Sequence, residues 1–192
     1  MRNRRDRSVL AITMLLAVMV TAEKCDQSKV VREIRKWNVK VGKALVAANE
    51  GWDDFYKGRV EEVTQEIIDE HGSDPNFTDE MAEELFTAQT AELNKKNDIV
   101  EDVMKTTALT QEALEQSLDA ADHIEGHAIA KTMKDILHGF GSLLDIFNHY
   151  AQDAANEKLN GAIGWIGVVQ NGALQIFEML GVDSDPDDPK DD

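Results

Sequence analysis

The segment Leu159–Phe177, which reads LNGAIGWIGVVQNGALQIF, runs for nineteen residues without a charged side chain. No other part of the chain beyond residue 22 resembles it, because the remainder is strongly acidic and amphipathic. Its main apolar residues recur at helical spacing. They are Ala162, Ile166, Val169, Ala173 and Phe177. The segment therefore predicts a helix, and the other amphipathic segments are expected to cover it.

Two interpretations of this helix remain open. A membrane-spanning helix needs about 20 predominantly apolar residues, whereas this segment contains four glycines and four amide side chains. These polar and small residues favour a helix buried in a bundle. The alternative is a membrane-active or membrane-associated protein that inserts residues 159–180, for example in lysis or anchoring.

One edge of the same helix is rich in glycine, which allows another backbone to approach closely. We therefore predict that a protein partner, or a second copy, binds along this edge. The predicted partner-binding residues are Gly161, Gly164, Trp165, Gly167 and Val168.

A first long helix is predicted for Gln27–Glu70. Its apolar residues follow steps of three and four, and several of them repeat every eleven residues, as at Val30, Val41, Trp52 and Val63. An eleven-residue period gives about 3.67 residues per turn, which suits a nearly straight helix. Gly51 is the strongest candidate for a break, but the apolar stripe keeps its phase across it and favours a continuous helix. Trp37 and Trp52 lie on the stripe and are expected in the core rather than on a ligand platform.

A short turn at residues 71–76 contains Gly72 and Pro75 and is expected to end the first helix. Thr78 is a suitable N-cap for a second helix, predicted over Asp79–Ala121. Two long helices joined by a short turn form an antiparallel hairpin. Residues 121–181 are predicted to form two more helices. We place the break between them at Asn156–Gly161, with Gly126 and Gly139 as alternatives.

The N-terminus has the order of a secretory signal peptide. Four arginines in residues 1–7 precede an apolar run of twelve residues at Val9–Val20, and Ala22 offers a cleavage site. The predicted domains are therefore a signal peptide (residues 1–22), a helical bundle (23–182) and a disordered acidic tail (183–192). Cys25 is the single cysteine and cannot form an intrachain disulfide. It remains open whether this thiol is free, lipidated or in an interchain disulfide.

The formal net charge of the 192-residue chain is −17. A surface of this sign repels nucleic acid, so no nucleic-acid partner is expected. Neither a phosphate-binding loop nor a nucleophile motif is present in the sequence, so no catalytic residue, cofactor or small-molecule substrate is inferred. His123 and His127 share a helix face and are weak metal candidates, which leaves a metal-binding bundle as a minor alternative.

The sequence thus predicts an all-α protein of long antiparallel helices, exported to the periplasm, the cell envelope or the medium. We expect a non-enzymatic structural or protein-interaction module that uses the face of its apolar C-terminal helix. Membrane contact through residues 159–180 is the principal alternative.

Overall fold

A computed structural model describes the backbone of residues 5–120, 125–151 and 156–182, and the side chains from residue 29 onward in these ranges, Ala120 excepted. The described chain forms four helices and no strand. They are α1 (Arg5–His71), α2 (Asp79–Ala120), α3 (Gly126–Ala151) and α4 (Glu157–Leu180). The all-α class and the helical bundle are confirmed.

Side-chain hydrogen bonds show that α1 and α2 run antiparallel. The indole Nε1 of Trp52 donates to Asn97 Oδ1 over 2.9 Å, and one turn further along α1 the Tyr56 hydroxyl donates to Asn94 Oδ1 over 2.7 Å. At the other end of the pair, Arg35 contacts Asp119 over 2.7 Å. Rising numbers on α1 therefore meet falling numbers on α2, as expected for a helical hairpin.

The fourth helix closes the bundle by packing along α1, and this is the most extensive helix–helix contact of the described chain. Trp37 Nε1 donates to the Val169 carbonyl over 2.8 Å, and Lys158 Nζ donates to Asp54 over 2.6 Å. The hydrogen bond and the charge of Asp54 raise the pKa of Lys158. Helix α3 packs between α2 and α4. The order around the bundle is therefore α1, α2, α3, α4.

One continuous core fills the space between the helices. Trp52 stacks on Phe147 of α3 with ring centroids 5.8 Å apart, which joins two helices across the core. The uncharged segment contributes one face of α4. Its fully or almost fully buried residues are Leu159, Ala162, Ile166, Val169, Ala173, Ile176 and Phe177. The prediction that Trp37 and Trp52 are core residues is confirmed, since each is 2% exposed.

The observed helix ends confirm some predicted boundaries and correct others. Helix α2 agrees to within one residue, with Met81 N donating to the Thr78 hydroxyl at its start over 3.3 Å. Helix α1 is continuous through Gly51, but it begins at Arg5 rather than Gln27. The predicted break at Asn156–Gly161 was too late, because Gly161 lies inside α4. Asn156 caps that helix by accepting the N–H of Leu159 over 2.9 Å.

The end of the α1–α2 hairpin extends beyond the other two helices. The first turn of α4 lies level with Gly51 and Asp54, so the described parts of α3 and α4 do not flank α1 beyond Tyr56. We call residues 57–92 the hairpin tip. Val63 and Ile67 are buried within it, apart from the main core. Fifteen residues of α1 beyond Tyr56 correspond to about 22 Å of projecting helix.

Several predictions fall partly or wholly outside the described residues. Residues 1–4, His123, the acidic tail from residue 183 and the side chain of Cys25 are not described. The signal peptide, its cleavage and the character of the tail therefore stay predictions. Among the helices that are described, none has the length and apolar content to cross a membrane.

Candidate functional site

The charge of this chain is unevenly distributed. Between Lys29 and Lys43 the sequence has six basic residues and one acidic residue, a local net charge of +5 in a chain of −17. Four of these six basic residues are lysines. They lie at spacings of seven, four and three, which places them along one face of α1. We call them the lysine stripe: Lys29, Lys36, Lys40 and Lys43, all exposed. The stripe faces the side of α1 on which α4 packs.

A groove of about 280 Å³ lies between α1 and α4, and we call it the α1/α4 groove. Lys29, Lys36 and Lys40 form its rim on α1. Its apolar lining comes from Trp37 of α1 and from Ile176 and Met179 of α4. An apolar floor with a cationic rim is suited to a ligand that combines apolar and anionic groups.

The floor of the groove is held by Trp37. Its indole is buried and anchored by the 2.8 Å hydrogen bond to the Val169 carbonyl. Gly172 lies against this ring, since a Cβ at position 172 would be 3.0 Å from Trp37 Cδ1. A larger residue there would displace the ring or α4. Gly172 and the hydrogen bond therefore fix the depth of the groove.

Glu33 is the acidic residue in the rim. Its carboxylate accepts a hydrogen bond from Lys36 over 2.9 Å. This hydrogen bond, together with the charges of Lys36, Arg32 and Lys29, holds the pKa of Glu33 below its ordinary value. Glu33 is therefore ionised at neutral pH and partly offsets Lys36, whereas no described acidic side chain pairs with Lys29 or Lys40.

The outer face of α4 continues this surface. Trp165 is 38% exposed and Val168 is 43% exposed. Lys43 Nζ lies 5.8 Å from the centroid of the Trp165 ring, a distance suited to a cation–π contact. The lysine stripe therefore extends from the groove to this exposed tryptophan, and the two helices present one surface.

The glycines predicted to bind a partner face open space next to α4. A Cβ at Gly161, Gly164 or Gly167 would meet no described atom within 4 Å. The α1 helix does not cover this edge, so it is accessible; whether a partner binds there stays a prediction. The close approach of α4 to α1 occurs at Gly51 instead, where a Cβ would lie 2.9 Å from the Lys158 carbonyl oxygen.

Only one of the two histidine candidates for a metal site lies among the residues that the structure describes. His127 is exposed near the start of α3, and His123 lies outside the described residues. Within the described ranges, no group of three side chains has a metal-binding arrangement. The weak metal prediction therefore gains no support from geometry.

No protein-family model, curated protein or solved structure matches this chain.

Reasoning from the sequence missed the lysine stripe. The overall charge of −17 indicates an acidic surface and does not show the local net charge of +5 between Lys29 and Lys43. A running charge count along α1 would have found the stripe, and its spacing of seven, four and three would have placed it on one face. The contact of Gly172 with Trp37 had no such signal, because it depends on how α4 is aligned along α1.

Proposed function

We propose that this chain is an exported, non-enzymatic protein-interaction module of the periplasm or cell envelope, which binds an acidic helical segment of a partner along the α1/α4 groove. One observation carries the proposal: three lysines line the α1 side of an apolar floor on a chain with a net charge of −17. Lys36 and Lys40 lie four residues apart, a spacing at which like charges destabilise a helix. An acidic ligand would remove that repulsion.

The spacing of residues along one side of α4 favours a helical ligand. One row of residues on α4 follows alternating steps of four and three: Gly161, Trp165, Val168, Gly172, Gln175 and Met179. Its last three members, Gly172, Gln175 and Met179, line the groove. This is the spacing of a seam between packed helices. An amphipathic helix lying on two antiparallel helices would place its apolar residues on the floor and its carboxylates near the lysines.

The binding proposal is tested with a synthetic amphipathic helix that carries leucine at heptad spacing and glutamate elsewhere, labelled for fluorescence anisotropy. We expect it to bind, and we expect a peptide with lysine in place of every glutamate not to bind. Reversal of two rim charges, Lys36→Glu with Lys40→Glu, should weaken binding at least about tenfold, since it replaces attraction by repulsion.

The matched control is Lys95→Glu with Lys131→Glu, which changes the net charge equally at exposed positions of α2 and α3. This variant should bind like the unmodified chain. Equal weakening by both variants would show that only the overall charge matters, and the groove would lose its role.

We propose export because residues 1–22 have the order of a secretory signal peptide. Osmotic-shock fractionation with N-terminal sequencing tests it directly. A chain that begins at or near Glu23 in the shock fluid would support cleavage and export, whereas an intact chain retained in the cytoplasm would refute both.

A further inference from the structure

We propose that the acidic segment recognised by the α1/α4 groove is the hairpin tip of a second copy of this chain, so that copies associate head to tail. The inference rests on the proposed function of the groove and names its occupant.

The hairpin tip has the opposite charge to the lysine stripe. Residues 57–92 contain two basic and eleven acidic residues, a net charge of −9. Glu80 and Glu84 are exposed there, on the part of α2 that has only α1 beside it in the described chain. The tip therefore offers carboxylates on a projecting two-helix element whose side chains can lie against the lysine rim of the groove.

The tip also has an exposed apolar pair. Ile68 is 55% exposed and Met81 is 48% exposed. The alignment of α1 and α2, set by Trp52 with Asn97 and by Tyr56 with Asn94, brings Ile68 and Met81 to the same level of the hairpin. Apolar side chains flanked by carboxylates match an apolar floor rimmed by lysines. Charge and hydrophobicity are thus complementary on the two surfaces.

The two surfaces lie at opposite ends of α1. Lys36 and Ile68 are 32 residues apart on one helix, which corresponds to roughly 48 Å. A tip therefore cannot reach the groove of its own chain. A contact between two different patches is heterologous, and it produces a ring or an open series of copies rather than a closed pair.

We expect the contact to bury less surface than a standard interface and therefore to be weak. The repulsion between copies with the same net charge is screened at about 0.15 M salt, where the Debye length is near 8 Å, while directly contacting charges are screened less. Association should therefore be reversible and visible at high protein concentration in such a buffer.

The test is sedimentation velocity of the purified chain over a concentration series at fixed salt. We expect the average mass to rise with concentration. A groove variant (Lys36→Glu with Lys40→Glu) and a tip variant (Glu80→Lys with Glu84→Lys) should each weaken association at least about tenfold. A chain with all four reversals should associate again, because the groove and the tip exchange the signs of these charges and remain complementary.

A control variant, Glu112→Lys with Glu115→Lys, reverses two exposed charges of α2 outside the tip and should leave association unchanged. All substituted residues are exposed, and circular dichroism should confirm that each variant is folded. Failure of the fourfold variant to regain association would overturn the proposal.

If only the groove variant loses association, another acidic segment, such as residues 183–192, occupies the groove and the tip is wrongly assigned. The peptide titration separates the two proposals. A chain that stays monomeric but binds the acidic peptide refutes the head-to-tail contact alone, whereas absence of both refutes the role of the groove.

Discussion

Replacing Gly51 by alanine tests the closest approach between the first and last helices. Gly51 is buried in the middle of α1, where a glycine would ordinarily weaken the helix by about 1 kcal/mol relative to alanine. A Cβ at this position would lie 2.9 Å from the carbonyl oxygen of Lys158 and 3.2 Å from the Cα of Leu159. Both are backbone atoms, so the first turn of α4 has to move.

Gly58, a glycine on the same helix, provides the reference for the loss of stability expected from Gly51→Ala. A Cβ at Gly58 would meet no described atom within 4 Å, so Gly58→Ala gains the helix preference without a clash. Because this gain is common to both variants, the difference between them reports the cost of overpacking, about 1–3 kcal/mol. Movement of α4 would also loosen Leu159, which is fully buried.

Thermal and urea unfolding followed by circular dichroism measure this difference. We expect Gly58→Ala to be more stable than the unmodified chain by about 1 kcal/mol. Gly51→Ala should lie below Gly58→Ala by about 2 kcal/mol, or about 4–8 °C in Tm for a chain of this size. Equal stability of the two variants would mean that α4 does not approach α1 at this level, and the described packing of these helices would be refuted.

Three further predictions concern the N-cap of α4, the contact of Trp37 with α4, and Tyr150 of α3. Asn156→Ala removes the N-cap that accepts the Leu159 N–H and should cost roughly 1 kcal/mol in urea unfolding, whereas Asn156→Asp should retain most of the stability. Trp37→Phe loses the hydrogen bond to the Val169 carbonyl and some buried volume, so unfolding should become easier by about 1–3 kcal/mol, and no loss would argue against the anchored indole. Burial, and then the charge of Glu92, raise the pKa of Tyr150 above its ordinary value of 10.0. The folded chain holds this proton more tightly than the unfolded chain, so the associated stability is present below pH 10 and is lost as the pH rises through the raised pKa. In a tyrosinate absorbance titration, Tyr150→Phe should remove the step above pH 10, and persistence of that step would assign it elsewhere.

The sequence was sufficient to predict the core-facing stripes and the α1–α2 hairpin, but not the packing of α4 along α1. Helical spacing identified Ile166 and Val169 on the buried face of the last helix, and both are fully buried. Turn and cap residues located the start of α2 at Asp79. These features are local, since each depends on side chains within a few turns of one helix.

The role of Gly51 was not evident from the sequence because it depends on three-dimensional alignment. At Gly161 and Gly164 a Cβ would meet no described atom within 4 Å, so the approach of a partner at these positions stays a prediction. Gly51 was weighed as a possible break, whereas it permits the contact with α4. Glycine spacing shows where a backbone can approach closely. The register between α1 and α4, which are far apart in sequence, decides where it does.

The pairing of α1 with α4 also has a consequence for the order of folding. Trp37 and Val169, which join these helices, are 132 residues apart in sequence. Contacts of large sequence separation require the costliest loop closure, so the α1–α2 hairpin should form before α4 docks. In native-state hydrogen exchange, the amides of α4 should accordingly open at lower free energy than the central amides of α2. A ligand that touches both helices would then slow this opening, and the exchange rate of α4 becomes a direct measure of occupancy.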